Sequence, residues 1–304
     1  MPIPQGPLKI ACVGEAMIEL VLNSDGTAAN VGYAGDTLNT AIYLRRQIAA
    51  KNEVAFVSCV GEDPFSERMA LFIESQGVST RSLERIGDRL PGLYSIITDE
   101  NGERSFFYWR ENSAARQMFA GRDFNTLENY DVIYLSAISL AIVPENIREA
   151  LFLWIERFRE AGGLFSFDSN YRPRLWGSPE AARKAVARAW RMADIALPSI
   201  DDEMALFEDK SEAQTLERLH SYGIRSGALK RGPLGPAPLG DADTSKCVFE
   251  PAKSVVDTTA AGDSFNGGFL GAYLAGASLE AAMQAGHDLA SRVVGHRGAI
   301  IPKD

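Results

Sequence analysis

Short apolar runs alternate with longer amphipathic stretches through most of this 304-residue chain, and this alternation limits the possible folds most strongly. The apolar runs predict strands over residues 8–13, 54–60, 132–135, 163–167, 195–197 and 227–229. The amphipathic stretches predict helices over residues 36–48, 64–76 and 144–160, and another from Pro179 onward. Alternating strands and helices form a parallel sheet that is covered on both faces. We therefore expect a three-layer α/β/α fold with a central, mainly parallel sheet and a site at the carboxyl ends of its strands.

Two segments, about 15–34 and 92–112, interrupt this alternation. The first has little helical pattern. The second contains two strand-like runs joined by Asp99-Glu100-Asn101-Gly102, and Asn-Gly is a strong signal for a hairpin turn. The stretch 232–240 is rich in proline and glycine and predicts a loop. We expect one domain over residues 1–304, with the two segments inserted as a small β-rich lid.

Composition and charge exclude several classes of protein. The chain is 46% hydrophobic and 23% charged, as in ordinary globular domains, and no apolar run reaches the roughly 18 residues that span a bilayer. The N-terminus lacks the features of a secretory signal, and three isolated cysteines match neither a disulfide framework nor a metal site. A net charge of −9 disfavours nucleic acid as a partner but permits a small phosphate ligand. We expect a cytoplasmic protein that binds neither nucleic acid nor membrane.

The stretch Asp-Thr-Thr-Ala-Ala-Gly-Asp-Ser-Phe at 257–265 carries the strongest functional signal. It follows a strand-like run at 254–256 and begins a predicted helix. Because Ala260, Ala261 and Gly262 are small, backbone N–H groups at the positive end of the helix dipole can approach a phosphoryl oxygen. Asp263 can accept a proton from an attacking hydroxyl, and we expect the helix terminus to keep its carboxylate ionised. A helix cap with small packing residues would explain a Gly-Asp pair, but not the whole stretch.

The predicted lid offers side chains suited to an acidic sugar. Strand alternation places Tyr108 and Arg110 on one face, and Tyr94 lies on the partner run. An arginine can hold a carboxylate through two hydrogen bonds, and tyrosine hydroxyls can orient a keto or hydroxyl group. Arg172 follows the predicted strand 163–167 and supplies a second cation at the carboxyl edge. The alternatives are a solvated lid edge for Arg110 and a packing surface for the aromatic rings.

Four motifs, in order along nearly the whole chain, resemble those of the ribokinase-like (PfkB) carbohydrate kinases. They are Ala-Gly-Asp-Thr-Leu-Asn-Thr-Ala at 34–41, Val-Gly-Glu-Asp at 60–63, Lys-Arg-Gly-Pro-Leu-Gly at 230–235, and the stretch 257–265. The resemblance implies a ribokinase-like fold and transfer of the γ-phosphoryl group of ATP. It implies Asp263 as the catalytic base and the residues Ala260, Ala261 and Gly262 as an anion hole. It also implies a nucleotide-binding loop that contains Lys230, Gly232 and Gly235, although Lys230 would also fit the plain end of a strand.

Within that family, three stretches are similar to the 2-keto-3-deoxygluconate kinases: Tyr-Ala-Gly-Asp-Thr-Leu-Asn-Thr-Ala from Tyr33, Gly-Leu-Tyr-Ser from Gly92, and Tyr-Trp-Arg from Tyr108. The implied reaction phosphorylates the terminal hydroxyl of the keto acid and gives 2-keto-3-deoxy-6-phosphogluconate. The implied contacts to the keto acid are Gly35, Tyr94, Tyr108, Arg110 and Arg172. Asn39 resembles the family's sugar-contacting asparagine, with a helix-surface residue as the alternative. Asp36 either bonds sugar hydroxyls or caps its helix.

One motif departs from the family pattern. The usual Asn-x-x-Glu, tied to magnesium and phosphate, is replaced by Pro-Ser-Ile-Asp-Asp-Glu at 198–203. Ser199 takes the place of the asparagine if Asp202 takes that of the glutamate, but Glu203 is a rival. Mg²⁺ is implied by the chemistry, held partly by phosphates and water, so Asp202 would act through water. His287 and Asp288 are candidates for the adenine pocket.

Two other functions stay open from the sequence. A kinase for a neutral sugar such as fructose or ribose would give Arg110 and Arg172 no role in affinity. A non-catalytic sugar or nucleotide sensor would not need the intact stretch 257–265. A nicotinamide dehydrogenase is excluded because the first turn, Val-Gly-Glu-Ala-Met at 13–17, lacks a Gly-x-Gly-x-x-Gly loop. An apolar lid face with Phe107 and Trp109 predicts a homo-oligomer.

Overall fold

The computed structural model describes residues 3–4, 6–23, 26–98 and 104–303. In these residues the strands are β1 (Lys9–Val13), β2 (Met17–Leu22), β3 (Ala29–Ala34), β4 (Glu53–Val60), β5 (Leu83–Arg85), β6 (Gly92–Thr98), β7 (Arg104–Trp109), β8 (Val132–Ser136), β9 (Leu164–Asp168), β10 (Ile195–Ala196), β11 (Ala228–Leu229) and β12 (Ala237–Pro238). The predicted hairpin turn at 99–102 lies outside the described residues.

Helices alternate with most of these strands. In the described part of the chain they are α1 (Asp36–Gln47), α2 (Pro64–Ser75), α3 (Ala137–Ile142), α4 (Glu145–Glu160), α5 (Pro179–Met192), α6 (Ile200–Phe207), α7 (Glu212–Ser221), α8 (Ala261–Leu274) and α9 (Leu279–Val293). Helix α5 begins as expected, because the Ser178 hydroxyl accepts the Ala181 N–H at 3.2 Å and Pro179 occupies the first turn.

The main sheet has the strand order β10-β9-β8-β1-β4-β5, and all its pairs are parallel. Successive residues of β1 point to opposite faces, so Ile10 and Cys12 join one apolar core while Ala11 and Val13 join the other. Helices α1, α8 and α9 supply the first core, and α3, α4 and α5 supply the second. The predicted three-layer α/β/α fold is therefore confirmed.

Helix α8, which begins in the stretch 257–265, packs closely between α1 and α9. A Cβ atom on Gly267 would lie 2.5 Å from the Tyr43 Cβ of α1, and one on Gly268 would lie 2.7 Å from the Ala285 carbonyl of α9. These glycines let the backbones approach. On the same helix Phe269 is fully buried, and such burial stabilises a fold by roughly 1.5–3 kcal/mol. Close packing on both sides fixes the N-terminus of α8 against the sheet.

A second, smaller sheet has the order β3-β2-β6-β7. Strands β2 and β3 are antiparallel, β2 and β6 are parallel, and β6 and β7 are antiparallel. Its strands come from the two segments that interrupt the α/β alternation. We call this four-stranded unit the small sheet.

Two local predictions were wrong. Residues 254–256 are not a strand, because the N–H groups of Val256 and Asp257 both donate to the Val294 carbonyl at the end of α9, at 2.8 and 3.1 Å. The stretch 232–240, predicted as a loop, contains β12. By contrast, the strand predicted at 227–229 is present as β11, which pairs with β12, and Gly227 forms a parallel bridge with Ala196 of β10. Among the described residues, no helix has the length and apolar character needed to cross a membrane.

Candidate active site

A cleft of about 1470 Å³ lies at the carboxyl ends of the main-sheet strands, between the N-terminus of α8 and the small sheet. Its walls contain the predicted site residues Gly35, Asp36, Asn39, Tyr94, Tyr108, Arg110, Arg172, Ser199, Lys230, Gly232, Gly235, Ala260, Ala261, Gly262 and Asp263. Asp202 and His287 also line it, whereas Asp288 does not and instead accepts a hydrogen bond from Gln284 at 2.8 Å. The structure therefore brings nearly all these residues together in one place.

Asp263 is the third residue of α8 and faces the cleft. Its Oδ2 atom accepts a hydrogen bond from the Asn39 amide at 2.8 Å. Burial, and then the negative charge of Asp36, raise the pKa of Asp263 to about 8. The expectation that the helix terminus keeps this carboxylate ionised is thus wrong, because desolvation is the larger effect. A base with this pKa is stronger than an ordinary aspartate, although less of it is deprotonated at neutral pH.

The loop before α8 turns sharply at Ala260, which has the left-handed φ of +60°. The Ala261 N–H donates to the Thr258 carbonyl at 3.2 Å and is already engaged. For the N–H groups of Gly262 and Asp263, by contrast, no described residue supplies an acceptor. Of the three residues predicted to form the anion hole, Ala261 has an engaged N–H group, while the N–H groups of Ala260 and Gly262, like that of Asp263, have no acceptor among the described residues.

Asp257 fastens this loop to the rest of the chain. Its Oδ1 atom accepts hydrogen bonds from the Thr259 N–H at 3.0 Å and the Thr259 hydroxyl at 2.7 Å. Its Oδ2 atom accepts the Gly298 N–H at 2.8 Å. These bonds hold the loop in the turn that presents the helix N-terminus to the cleft.

Asp36 and Asn39 lie on the first turns of α1, beside Asp263. The Asp36 Oδ2 atom accepts hydrogen bonds from the Ser136 hydroxyl and, at 3.0 Å, from the Asn170 amide. Asp36 is the first residue of the helix and Gly35 is its N-cap residue, so Asp36 does not occupy the N-cap position itself. Asn39 is 4% exposed and holds Asp263, so it is not a helix-surface residue. Burial raises the pKa of Asp36.

Arg110 is not on a solvated edge, because its side chain is only 10% exposed and pairs with Glu15. Glu15 was not predicted, although it follows β1 at the carboxyl edge where a site residue was expected. A Cβ atom on Gly92 would lie 2.7 Å from the Glu15 Oε1 atom, so glycine leaves room for the pair. The arginine is thus already partly neutralised by a buried carboxylate.

The two tyrosines stack on each other with ring centroids 5.7 Å apart, but they differ in exposure. Tyr94 is 6% exposed and its hydroxyl donates to Glu19. Tyr108 is 48% exposed. Only Tyr108 therefore presents much of its ring to the cleft.

Asp202, not Glu203, faces the cleft. Its Oδ1 atom accepts a hydrogen bond from Arg172 at 3.3 Å, and burial raises its pKa. Glu203 is fully buried and bonds the Trp190 indole at 3.0 Å and Arg218 at 2.9 Å. Of the two acids, Asp202 is therefore the one that lines the cleft, while Glu203 is buried away from it. Arg172 is 55% exposed at the cleft mouth.

Lys230 follows β11 and reaches into the cleft, so it does more than end a strand. Its ammonium donates to Asp168 at 2.8 Å and to Asn266 at 3.0 Å. Neither acceptor was predicted. Asp168 ends β9, a place where site residues are expected, and Asn266 lies three residues after Asp263. Ser199 also lines the cleft, and its N–H donates to the Ser169 hydroxyl at 2.8 Å.

The loop predicted to bind nucleotide and His287 also line the cleft. Gly232 and Gly235 both have positive φ, and a Cβ atom on Gly235 would lie 2.5 Å from the Phe249 Cβ. His287 is 6% exposed, and its Nε2 atom lies 2.8 Å from the Glu250 carbonyl oxygen.

Comparison with known proteins matches the whole chain to one family. A family model described as "pfkB family carbohydrate kinase" matches residues 7–304. The 2-dehydro-3-deoxygluconokinase of Haemophilus influenzae is 44% identical over 304 residues, which cover 97% of this chain and 96% of that protein. The protein of the same name from Dickeya dadantii is 42% identical over 305 residues, covering 96% of each. A solved PfkB protein from Polaromonas sp. JS666 has a TM-score of 0.81 at 24% identity, covering 95% of this chain and 96% of that one.

Proposed function

Because this chain belongs to the pfkB family of carbohydrate kinases, and is thus a phosphotransferase, we propose that it phosphorylates the terminal hydroxyl of 2-keto-3-deoxygluconate. The product is 2-keto-3-deoxy-6-phosphogluconate. The observation that carries the proposal is the position of Asp263. Its carboxylate lies at a helix N-terminus with available N–H donors, in the same cleft as Arg110 and Tyr108. The names of the relatives at 42–44% identity support the choice of acceptor.

The proposed reaction begins with the sugar hydroxyl beside Asp263. The carboxylate accepts the hydroxyl proton while the hydroxyl oxygen forms a bond to the γ-phosphorus of ATP. The bond from that phosphorus to the oxygen bridging the β- and γ-phosphates breaks, and ADP leaves with the electron pair. Phosphoryl transfer needs mainly alignment and charge stabilisation, which the N–H groups of Gly262 and Asp263 supply to the phosphoryl oxygens.

Mg²⁺ fits the donor set at Asp202. Within the described ranges, no three His, Cys, Asp or Glu side chains cluster as a metal site. Mg²⁺ in kinases commonly uses one or two carboxylates, with phosphates and water completing its shell. Asp202 faces the cleft and supplies one such carboxylate, acting through water. When bound, the ion offsets negative charge on the phosphates.

On the sugar side, we propose that Gly35, Asp36 and Asn39 contact hydroxyls, and that Arg110, Arg172 and the tyrosines contact the keto-acid end. A Cβ atom on Gly35 would lie 2.1 Å from the Glu15 carbonyl oxygen, so glycine lets the start of α1 pack against the turn after β1. On the nucleotide side, Ser199, Lys230, Gly232 and Gly235 face the phosphates of ATP. His287 is the remaining candidate for the adenine pocket.

A neutral-sugar kinase is the second candidate, and the buried Glu15 favours it. A carboxylate placed at Arg110 would also approach Glu15, whose repulsion offsets part of the attraction. A relative named fructokinase, from Vibrio alginolyticus, is 30% identical over 84% of this chain. The non-catalytic sensor is set aside because the family is one of kinases.

The test is coupled ATP turnover with Mg²⁺ on 2-keto-3-deoxygluconate, fructose and ribose, with Asp263→Asn as the inactive control. We expect the highest kcat/KM with the keto acid. Faster turnover of fructose or ribose would agree with a sugar kinase but contradict 2-keto-3-deoxygluconate as the preferred substrate. Full activity of Asp263→Asn would exclude the proposed base.

We also propose that the small sheet acts as a lid and forms a homo-oligomer contact. On β7, Phe107 is 50% exposed and Trp109 is 58% exposed. Light scattering of the protein and of Trp109→Arg tests this, and a monomeric wild-type protein would contradict it.

A further inference from the structure

Lys230 is held by two acceptors from different parts of the fold. Its side chain is 11% exposed, and Asp168, which it contacts at 2.8 Å, is 3% exposed. The second acceptor is the Asn266 amide oxygen at 3.0 Å, on the buried side of α8. A lysine stem is flexible, so two fixed acceptors are needed to hold its ammonium in one place.

Further buried side chains hold these two acceptors. The Asn266 amide nitrogen donates to Asp168 Oδ2 at 2.8 Å and to the Tyr134 hydroxyl at 2.9 Å. The Thr40 hydroxyl lies 3.3 Å from the Tyr134 hydroxyl and 3.3 Å from the Asp263 carbonyl oxygen. The side chains of this network are almost completely buried, so its geometry is set by the protein.

The ammonium lies beside the loop that precedes the proposed base. A Cβ atom on Gly262 would be 3.6 Å from the Lys230 Nζ atom. An ammonium has three N–H donors, and Asp168 and Asn266 take two. No third acceptor contacts the ammonium among the described residues, so one donor remains, on a cation that borders both the cleft and the N-terminus of α8.

We propose that Asp168 and Asn266 are positioning residues that fix Lys230, so that its third N–H is directed at the phosphoryl group during transfer. This inference rests on the proposed kinase reaction. Asp168 also places a buried opposite charge 2.8 Å from the ammonium. A cation held in advance stabilises the charge that moves during transfer without having to reorganise.

The test compares kcat and KM of Asp168→Asn and Asn266→Ala with those of the wild type. We expect kcat to fall about 10- to 100-fold in each, since both lose part of a preorganised electrostatic contact. KM for the sugar should stay within about threefold, because neither residue belongs to the proposed sugar contacts. Lys230→Gln should show a similar fall, and adding Asp168→Asn to it should cost little more, since the two residues act as a unit.

The matched control is Asp194→Asn. Asp194 is also a buried aspartate paired with a cation, Arg159, at 2.6 Å, and it accepts the Phe165 N–H at 2.9 Å. It lies outside the cleft lining. We expect this variant to lower the melting temperature and leave kcat unchanged, which separates positioning from general loss of stability.

The pH profile of kcat/KM gives a second test, because it would not shift if Asp168 and Lys230 only stabilised the fold. The charged groups around Asp263 are Asp36 from α1, Asp168 from β9 and Lys230 after β11; of these, the carboxylates raise its pKa and the ammonium lowers it. The acidic limb of kcat/KM should therefore move to lower pH in Asp168→Asn and to higher pH in Lys230→Gln.

Wild-type kcat in folded Asp168→Asn would overturn the inference, while an inactive Asp263→Asn would still support the proposed base. If Asp168→Asn does not fold, Asn266→Ala decides, and wild-type kcat there overturns the inference equally. Full additivity of Asp168→Asn and Lys230→Gln would also overturn it. An active Asp263→Asn would instead refute the proposed base, and only a wild type that turns over none of the sugars would refute the proposed function itself.

Discussion

The α8 end of the cleft consists of buried polar side chains that bond one another, whereas the small-sheet end combines two buried and paired side chains, Arg110 and Tyr94, with the half-exposed Tyr108. Asp263 is held by Asn39 at 2.8 Å, and Lys230 is held by Asp168 at the same distance. Across the cleft, Tyr108 is 48% exposed. From this difference we infer that the side chains proposed for phosphoryl transfer are held in place before substrates bind, while the proposed contact of Tyr108 with the sugar forms on binding. Changes at the first end should lower kcat, and changes at the second should raise KM.

The largest effect should come from Asp263→Asn. The amide cannot accept the hydroxyl proton, so kcat should fall by about 100- to 10,000-fold, the usual contribution of a general base. Binding of ATP should persist, as measured by calorimetry. A loss of less than about tenfold in kcat would contradict the role of Asp263 and remove the basis for the comparison.

The same variant should be more stable than the wild type. The folded pKa of Asp263, about 8, lies above its ordinary value of 3.8, so folding is increasingly disfavoured as the pH rises between these values. Asn carries no such penalty. The melting temperature of Asp263→Asn relative to the wild type should therefore rise more at pH 8 than at pH 5. An equal difference at both values would contradict the raised pKa.

The pH dependence of the wild type should be the next largest effect. Because only the deprotonated form of Asp263 can act as base and its pKa is about 8, kcat/KM should rise with pH up to that value. At pH 6 it should be about 100-fold below the plateau. Steady-state measurement of kcat/KM over pH 5.5–9.5 tests this. A kcat/KM that does not change between pH 6 and 9 would contradict the raised pKa of Asp263.

Arg110→Gln should produce an effect at the sugar end only. A hydrogen bond to a charged group contributes roughly 1.5–3 kcal/mol, so KM for the keto acid should rise about 10- to 100-fold. The kcat should stay within about threefold. The matched control is Arg174→Gln, an exposed arginine that also lines the cleft but was not predicted to bind sugar. An equal rise in KM for the keto acid and for fructose would show that Arg110 does not bind the carboxylate of the substrate.

Much of the fold could be predicted from the local pattern of apolar residues, because this pattern determines which side chains of a strand or helix enter one core or the other. Strand β4 was predicted at 54–60 and lies at Glu53–Val60, where every residue after the first is buried. The predictions that failed concern segments that are short or lack a regular apolar pattern. Val255 and Val256 resemble a strand but are 65% and 52% exposed, since the chain there follows the end of α9.

The candidate site was predictable where one contiguous motif supplies it, as at 257–265. It was not predictable where function depends on pairs that are distant in sequence. Glu15 and Arg110 are 95 positions apart, and Asp168 and Lys230 are 62 apart. The raised pKa of Asp263 could not be predicted from the sequence either, because it depends on desolvation and on carboxylates from other elements.

Tyr108→Phe should give the smallest effect and the sharpest test of the sugar end. A neutral hydrogen bond contributes about 0.5–1.5 kcal/mol, so KM for the sugar should rise only about 2- to 12-fold, with kcat and KM for ATP unchanged. Because the ring is half exposed and phenylalanine keeps its stacking on Tyr94, the melting temperature should not move. Tyr222→Phe, which lies away from the cleft beside Phe207, serves as the control and should change neither constant. A fall in kcat for Tyr108→Phe would mean that the small sheet also helps to align the groups for phosphoryl transfer. The two ends of the cleft would then not have separate effects on kcat and KM.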